Sequence, residues 1–479
     1  MKLGEVFPQE RNRREIAELE IEGVAFDSRE VKKGDVFFII EGKKFDVFSV
    51  LKEIEDVVTV FVVEKRKEQK VKEIIKKKPL IFVENIQKEF RRVVDMVYTF
   101  EGKRFKFIGI TGTNGKTTTA YLIYQLLKKL GKKVSLIGTV NYYLGEEKIK
   151  ATYTTPPYLY LRKLFRKMKE IDSEFIVMEV SSHGIAQKRI EGINFACCVF
   201  TNLGRDHLDY HKTIENYFST KRKFFLDNPL ATCLINIDDP YGKRLFQELN
   251  GKKFSFGIEN NADFKAEELK ILRKGVEFYL KGQGRKFFIT SSLLGRHNIL
   301  NMLGSVGTIF SLGFPLEKVI NHLAEIKGVE GRLEEVANDI FVDYAHTPFA
   351  LKSMLSTLRK MGYNKIIAVW GCGGDRDKGK RKIMARIASQ LADYNFITMD
   401  NPRNEDPLEI CYQIKEGLEN NNFSIILDRR KAIEEALSLK KRWKNGAVAV
   451  LGKGHEDYQI IGETKVFFKD KEEIKKALL

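Results

Sequence analysis

The 479-residue chain is 43% apolar, 31% charged and 11% aromatic, with 10 prolines and no low-complexity tract, which excludes a disordered or fibrous protein. No apolar run is long enough to span a bilayer and the opening MKLGEVFPQERNRREIAELE lacks a signal-peptide core, so a cytoplasmic location without a membrane partner is expected. The net charge of +18 invites a nucleic-acid reading, but the excess is spread along the chain, and five cysteines without CxxC spacing suggest neither a disulfide framework nor a metal cluster.

Strand-like runs VFFII and VTVFVVE lie in the first hundred residues. The densest basic run, Glu64 to Pro79, places Val71, Ile74 and Ile75 at helical spacing and so reads as a solvated helix face with an apolar underside, not a nucleic-acid patch. The length suggests about three domains, with a first boundary near residue 102.

FIGITGTNGKTTTAY, residues 107 to 121, runs from a strand through Gly112, Gly115, Lys116 and Thr117 into a helical pattern closed by Gly131. Such a loop can aim backbone N–H groups and a helix N-terminus at phosphate oxygens. Lys116 would reach the terminal phosphates and Thr117 a bridging magnesium ion. The strict G-x-x-x-x-G-K-[ST] spacing is not met, because position 110 is Ile, so the loop is a variant, and a plain glycine turn is the competing reading. Strands VSLIGTV, FIVMEV, ACCVFTN and CLINID follow, with a helix near Leu159 to Lys169; a third unit starts near GVEGRLEEV and carries IIAVWG, NFITMD and AVAVLG. Alternating strands and helices predict an α/β protein with a mainly parallel, doubly wound sheet and ligands beyond the strands' carboxyl ends.

Glu179 ends FIVMEV, where a second metal contact is expected beside a phosphate loop, although a surface glutamate fits equally. TNLGRDHLDYH packs Asn202, Asp206, His207, Asp209 and His211 into ten residues, a density that favours a polar site over isolated structural histidines; a zinc cluster is the rival.

GTNGKTT (112–118), EVSSHG (179–184), TNLGRDHLDYH (201–211), YFSTKRKFF (217–225), GRHNILN (295–301), GRLE (331–334), DYAHTP (343–348), GCGGDRDKGKR (371–381), DNPRNEDP (400–407) and GKGHEDYQ (452–459) occur in the order seen in the Mur ligases. The set resembles the members of that family that add the third peptide residue, over about Asp27 to Gln459. The resemblance implies three domains: a UDP-binding domain over 1–101, a central P-loop ATPase over 102–328 and a Rossmann-like C-terminal domain over 329–479 that receives the amino acid. It implies an ATP-dependent amide ligase of peptidoglycan precursor synthesis. The γ-phosphate passes to a substrate carboxylate, and an amine then displaces phosphate from the acyl phosphate.

Carried over by resemblance, Gly112, Thr113, Asn114, Gly115, Lys116, Thr117 and Thr118 cradle ATP. Thr117, Glu179 and His207 contact Mg2+, and Lys221 carries a CO2-derived carbamate that does the same; Lys116, Lys221, Glu179 and His207 form the catalytic set. Ser28 matches the uridine contact, beside a segment around Lys43 to Phe45. Thr154, Thr155, Ser181, Gln187 and Arg189 match positions that hold the UDP-N-acetylmuramoyl dipeptide. The sequence departs from the family pattern at Asp46-Val47, where relatives carry DG, at Tyr153, where Asn is common, and at Thr220, where Ala is usual. The amine site would use Arg376, Asp400, Asn401, Pro402, Arg403, Gly452 and Glu456. Diaminopimelate carries a distal carboxylate suited to a guanidinium fork and a distal ammonium suited to a carboxylate. Arg403 and Glu456 supply both, which favours it over L-lysine. A folylpolyglutamate synthase-like ligase and a P-loop switch ATPase are the remote alternatives, and no nucleic acid is expected as a partner.

Overall fold

The structure is a computed structural model that describes residues 1–42, 45–99 and 105–479. The expected boundary at residues 101 and 102, and Lys43 in the expected uridine segment, lie outside the described residues. The chain forms two compact units.

The smaller unit contains Met1–Phe105, Pro156–Ser173 and Lys188–Glu191. Its sheet pairs Gly23–Ala25, Asp35–Phe38, Val60–Glu64 and Leu80–Val83 in that order, all parallel. The basic run forms the helix Glu68–Ile74, which buries Val71 while Lys72 pairs with Glu68 at 2.6 Å. The helix Tyr158–Glu170 sends Leu159 into this unit's apolar cluster. Its Arg162 donates to Asp95 Oδ1 at 3.0 Å, on the helix Ile86–Val97, and to the Glu191 carbonyl at 2.7 Å.

The larger unit contains Lys106–Thr155, Glu174–Gln187 and Gly192–Leu479. An eleven-stranded sheet has Lys106–Thr111 near its middle, between Phe195–Phe200 and Phe175–Glu179. Its inner strands are parallel, as alternating strands and helices predict. Both edges are antiparallel, however: Asn141–Leu144 with Glu147–Lys150 on one side, and Phe264–Leu272, Gly275–Gly282 and Arg285–Ser291 on the other. The turns at Gly145 (φ +61°) and at Gln283 and Gly284 (φ +52° and +74°) take the left-handed backbone that tight hairpins need. A second sheet orders Glu334–Ala337, Ile340–Asp343, Gly446–Leu451, Lys365–Trp370, Tyr394–Ile397 and Phe423–Ile425, parallel except for its first pair. Thus 112–115, 201–207, 344–347, 371–379, 398–403 and 452–456 all follow carboxyl ends of strands, where open α/β sheets collect ligands. All five cysteines are free and buried, and no described helix is long and apolar enough to cross a membrane.

Candidate active site

The phosphate loop leaves the strand Lys106–Thr111 through Gly112 (φ +147°) and enters the helix Lys116–Lys129 through Gly115 (φ +84°). Side chains are sterically barred at both: a Cβ at Gly112 would collide with Thr201 Oγ1, and one at Gly115 would meet Asn301 Oδ1 at 2.5 Å. The loop is braced from the adjacent strand end, where Asn202 Oδ1 accepts the Asn114 N–H at 2.9 Å and Thr201 Oγ1 donates to the Asn114 carbonyl at 2.6 Å. Thr113 Oγ1 accepts the Gly204 N–H at 2.9 Å.

Lys116 Nζ donates to the carbonyls of Gly112 and Thr113, both at 2.9 Å. Burial pushes its pKa below the usual lysine value, against the pull of Glu179 and Asp206. Lys221 Nζ donates to the same Gly112 carbonyl at 2.8 Å; burial, and next the charge of Lys116, hold its amine far below its ordinary pKa. Two lysines thus converge on one loop.

Glu179 is 1% exposed. Its carboxylate accepts from Thr117 Oγ1 and Thr139 Oγ1, both at 3.0 Å, and from the Thr139 N–H at 2.7 Å. Arg332, from the second sheet's entry loop, donates through Nη2 to Thr117 Oγ1 at 3.2 Å and lies over the Tyr344 ring. His207 caps the short helix Leu208–His211 at φ +54°; burial pulls its pKa to about 3, against the neighbouring Asp206, so the imidazole is neutral. Among the described residues no group of three or more His, Cys, Asp or Glu side chains is arranged to hold a metal ion. The donors that do converge, the Thr117 hydroxyl and the Glu179 carboxylate, are hard oxygens of the kind magnesium takes, so these residues fit that ion. Lys221 as an amine is a donor, not a ligand.

Thr113 to Thr118, Thr154, Glu179, Ser181 and His207 line one cavity of about 500 Å³. A second cavity of about 330 Å³ shares Thr139, Thr154 and Tyr344 with it and continues to His455, Glu456 and Tyr458. Behind it, Glu456 Oε2 accepts from Asn401 Nδ2 at 2.9 Å and from the fully buried Lys453 Nζ at 3.2 Å, while Tyr344 donates to Oε1 at 3.2 Å. Arg403 (φ +52°) donates through Nη1 to the Gly374 carbonyl at 2.9 Å. Burial, and next the charge of Arg376, lower its pKa. Asp400 Oδ2 lies against Gly452, where a Cβ would stand 2.5 Å away, and the Pro402 carbonyl crowds Gly374.

Thr155 lies beneath the site: its hydroxyl donates to the Glu179 carbonyl at 2.8 Å and accepts the Ser181 N–H at 2.9 Å. Gln187 is exposed at the end of the helix Ser182–Ala186. Ser28, which opens the turn Ser28–Glu30, and Arg189 belong to the smaller unit. Sequence reasoning missed Thr139 and gave no role to Arg332, Tyr344 or Lys453, although GRLE, DYAHTP and GKGHE had been singled out as motifs.

The family descriptions "Mur ligase middle domain" and "Mur ligase, glutamate ligase domain" match residues 110–309 and 331–454. The UDP-N-acetylmuramoyl-L-alanyl-D-glutamate--2,6-diaminopimelate ligase of Clostridium botulinum is 41% identical over 466 residues, covering 96% of this chain and 95% of that protein. Its Clostridium tetani counterpart is 40% identical with the same coverage. A solved structure of an enzyme of that name superimposes with a TM-score of 0.65 at 28% identity, over 100% of this chain and 98% of the other.

Proposed function

Because the chain belongs to the Mur ligase family, we propose that it uses ATP to join meso-2,6-diaminopimelate to UDP-N-acetylmuramoyl-L-alanyl-D-glutamate in peptidoglycan precursor synthesis. The observation that carries this reading is the shared wall of Thr139, Thr154 and Tyr344 between the phosphate-loop cavity and the cavity of Glu456. An acid activated on one side can meet an amine on the other. We read residues 1–101 as the UDP-binding domain, 102–328 as the ATPase and 329–479 as the amino-acid domain, working in the cytoplasm.

A carboxylate is a poor electrophile until one oxygen becomes a leaving group. Its oxygen attacks the γ-phosphorus and ADP leaves; the amine nitrogen then attacks the acyl carbon, and phosphate departs with the carboxyl oxygen. The glycine loop from Gly112 to Thr118 orients the phosphates through backbone N–H groups, and anionic phosphates beside Lys116 favour its charged form against the burial that lowers its pKa. Thr117, Glu179 and His207 would hold Mg2+, which supplies positive charge beside the phosphoryl oxygens. Lys221 gains oxygen ligands if its amine, whose pKa burial and Lys116 hold well below the ordinary lysine value, adds to CO2 in its neutral form and loses a proton, leaving a carbamate. Ser28, Thr154, Thr155, Ser181, Gln187 and Arg189 take the nucleotide-linked dipeptide. Arg376, Asp400, Asn401, Pro402, Arg403, Gly452 and Glu456 take the amino acid, the guanidinium of Arg403 selecting for a distal carboxylate.

The test supplies ATP, Mg2+, the UDP-muramoyl dipeptide labelled with ¹⁸O in its free carboxyl groups, and diaminopimelate or L-lysine. The reading expects the tripeptide mass with diaminopimelate and one labelled oxygen in the released phosphate. Unlabelled phosphate overturns the mechanism, and equal turnover of lysine overturns the specificity.

A further inference from the structure

Two side chains without a role above grip the loops of the phosphate and amino-acid sites together. Arg205, two residues before His207, extends its guanidinium as a fork onto Asp377: Nε donates to Oδ2 at 2.8 Å and Nη2 to Oδ1 at 3.1 Å. The fork sits over Gly379, where a Cβ would collide with Nη2. Asp377, its side chain 8% exposed, also accepts the Gly379 N–H at 2.9 Å. One residue along, the buried Asp206 faces Lys380 at 3.9 Å and His346 at 3.8 Å. The opposite side of this loop is pinned to the amino-acid loop. Gly374 N–H donates to the Asn401 carbonyl at 2.9 Å, Asn404 Nδ2 donates to Asp375 Oδ2 at 2.8 Å, and Asp375 N–H donates to Glu405 Oε1 at 2.6 Å. The segment 373–379, which carries Arg376, is therefore fastened on one side to Arg403's loop and on the other to His207's.

We propose that Arg205 and Asp377 form a latch that holds the amino-acid loop against the phosphate loop, with Arg205 as a positioning residue that keeps water from the acyl phosphate until the amine attacks. The inference rests on the ligase reading. An isolated surface pair contributes little to stability, but a bidentate fork seated on a glycine fixes orientation. If the latch opens, water in place of the amine cleaves the acyl phosphate, and carboxylate and inorganic phosphate form without amide.

The test measures phosphate released per amide formed in the full-length enzyme. Arg205→Ala and Asp377→Ala should each raise that ratio about tenfold above the native value. They should raise KM for diaminopimelate and leave ADP affinity unchanged. The double variant should match the single ones, and Arg205→Asp with Asp377→Arg should recover part of the loss. Arg205→Lys, which keeps the charge without the fork, should fall between. Energy transfer between dyes on Lys286→Cys and Lys441→Cys, with ADP bound, gives a readout independent of chemistry. Arg205→Ala should shift the distance to longer values even if the native enzyme forms no amide, an outcome that would count against the ligase reading alone. An unchanged ratio and distance in both single variants, or losses that multiply in the double variant, overturn the latch.

Discussion

At the scale of single residues, specificity turns on Arg403. Its guanidinium has a like-charged neighbour in Arg376, feels the carboxylates of Asp400 and Glu456, and among the described residues donates to carbonyls, Gly374 at 2.9 Å and Asn401 at 3.3 Å, which an arriving carboxylate could replace as the stronger acceptor. Arg403→Ala should lower kcat/KM for diaminopimelate by about 10- to 100-fold, the effect of losing a charge-assisted hydrogen bond, with ADP affinity retained by calorimetry. Lys221 offers a separate test. Arginine keeps a hydrogen-bond donor for the Gly112 carbonyl but does not form the carbamate, so Lys221→Arg should lose ligase activity. With ¹³C-bicarbonate the native protein should give a carbamate carbon resonance, and this variant should lose it. A variant that retains that resonance removes the carbamate from Lys221.

Elements decide how much could be read from sequence. The strand, loop and helix from Lys106 to Lys129 were legible because Gly112 and Gly115 punctuate a change of period from two to 3.6. The antiparallel edges were not. The strand Glu147–Lys150 is polar and largely exposed, so no apolar alternation marks it, although Val276, Phe278 and Leu280 alternate in Gly275–Gly282. Thr139 carried no signal either, since an ordinary threonine becomes a brace for Glu179 only when the fold brings together residues 40 apart. Arg332 reaches Thr117 across a separation of 215 residues, a contact that no local pattern reports. The helix Arg296–Ser311 adds a pH dependence through His297, which meets Ser353 Oγ at 3.1 Å and whose pKa burial lowers from 6.5 to about 4. The unfolded chain binds that proton first as pH falls. Its contribution is therefore complete above pH 6.5 and lost progressively as pH drops toward 4. His207, His211 and His455 are shifted in the same direction. Melting temperature should fall between pH 7 and 5, and His297→Gln should make that fall shallower; an unchanged slope contradicts a buried neutral imidazole.

For the molecule as a whole, the informative fact is that the smaller unit is not contiguous in sequence. Its third segment of secondary importance in length, Lys188–Glu191, supplies an acceptor to Arg162, and the helix Tyr158–Glu170 supplies Leu159 and Arg162 themselves. A fragment of residues 1–105 should therefore melt broadly, and a peptide spanning 156–173 should bind it and sharpen the transition in circular dichroism. A fragment that melts cooperatively alone would show the helix to be dispensable. The same interleaving sets a timetable at the ribosome. The first hundred residues emerge while the helix that completes their core is still untranslated. At about 5–20 residues per second, they wait several seconds for it. In that interval the nascent chain offers an incomplete apolar surface to any chaperone near the exit tunnel.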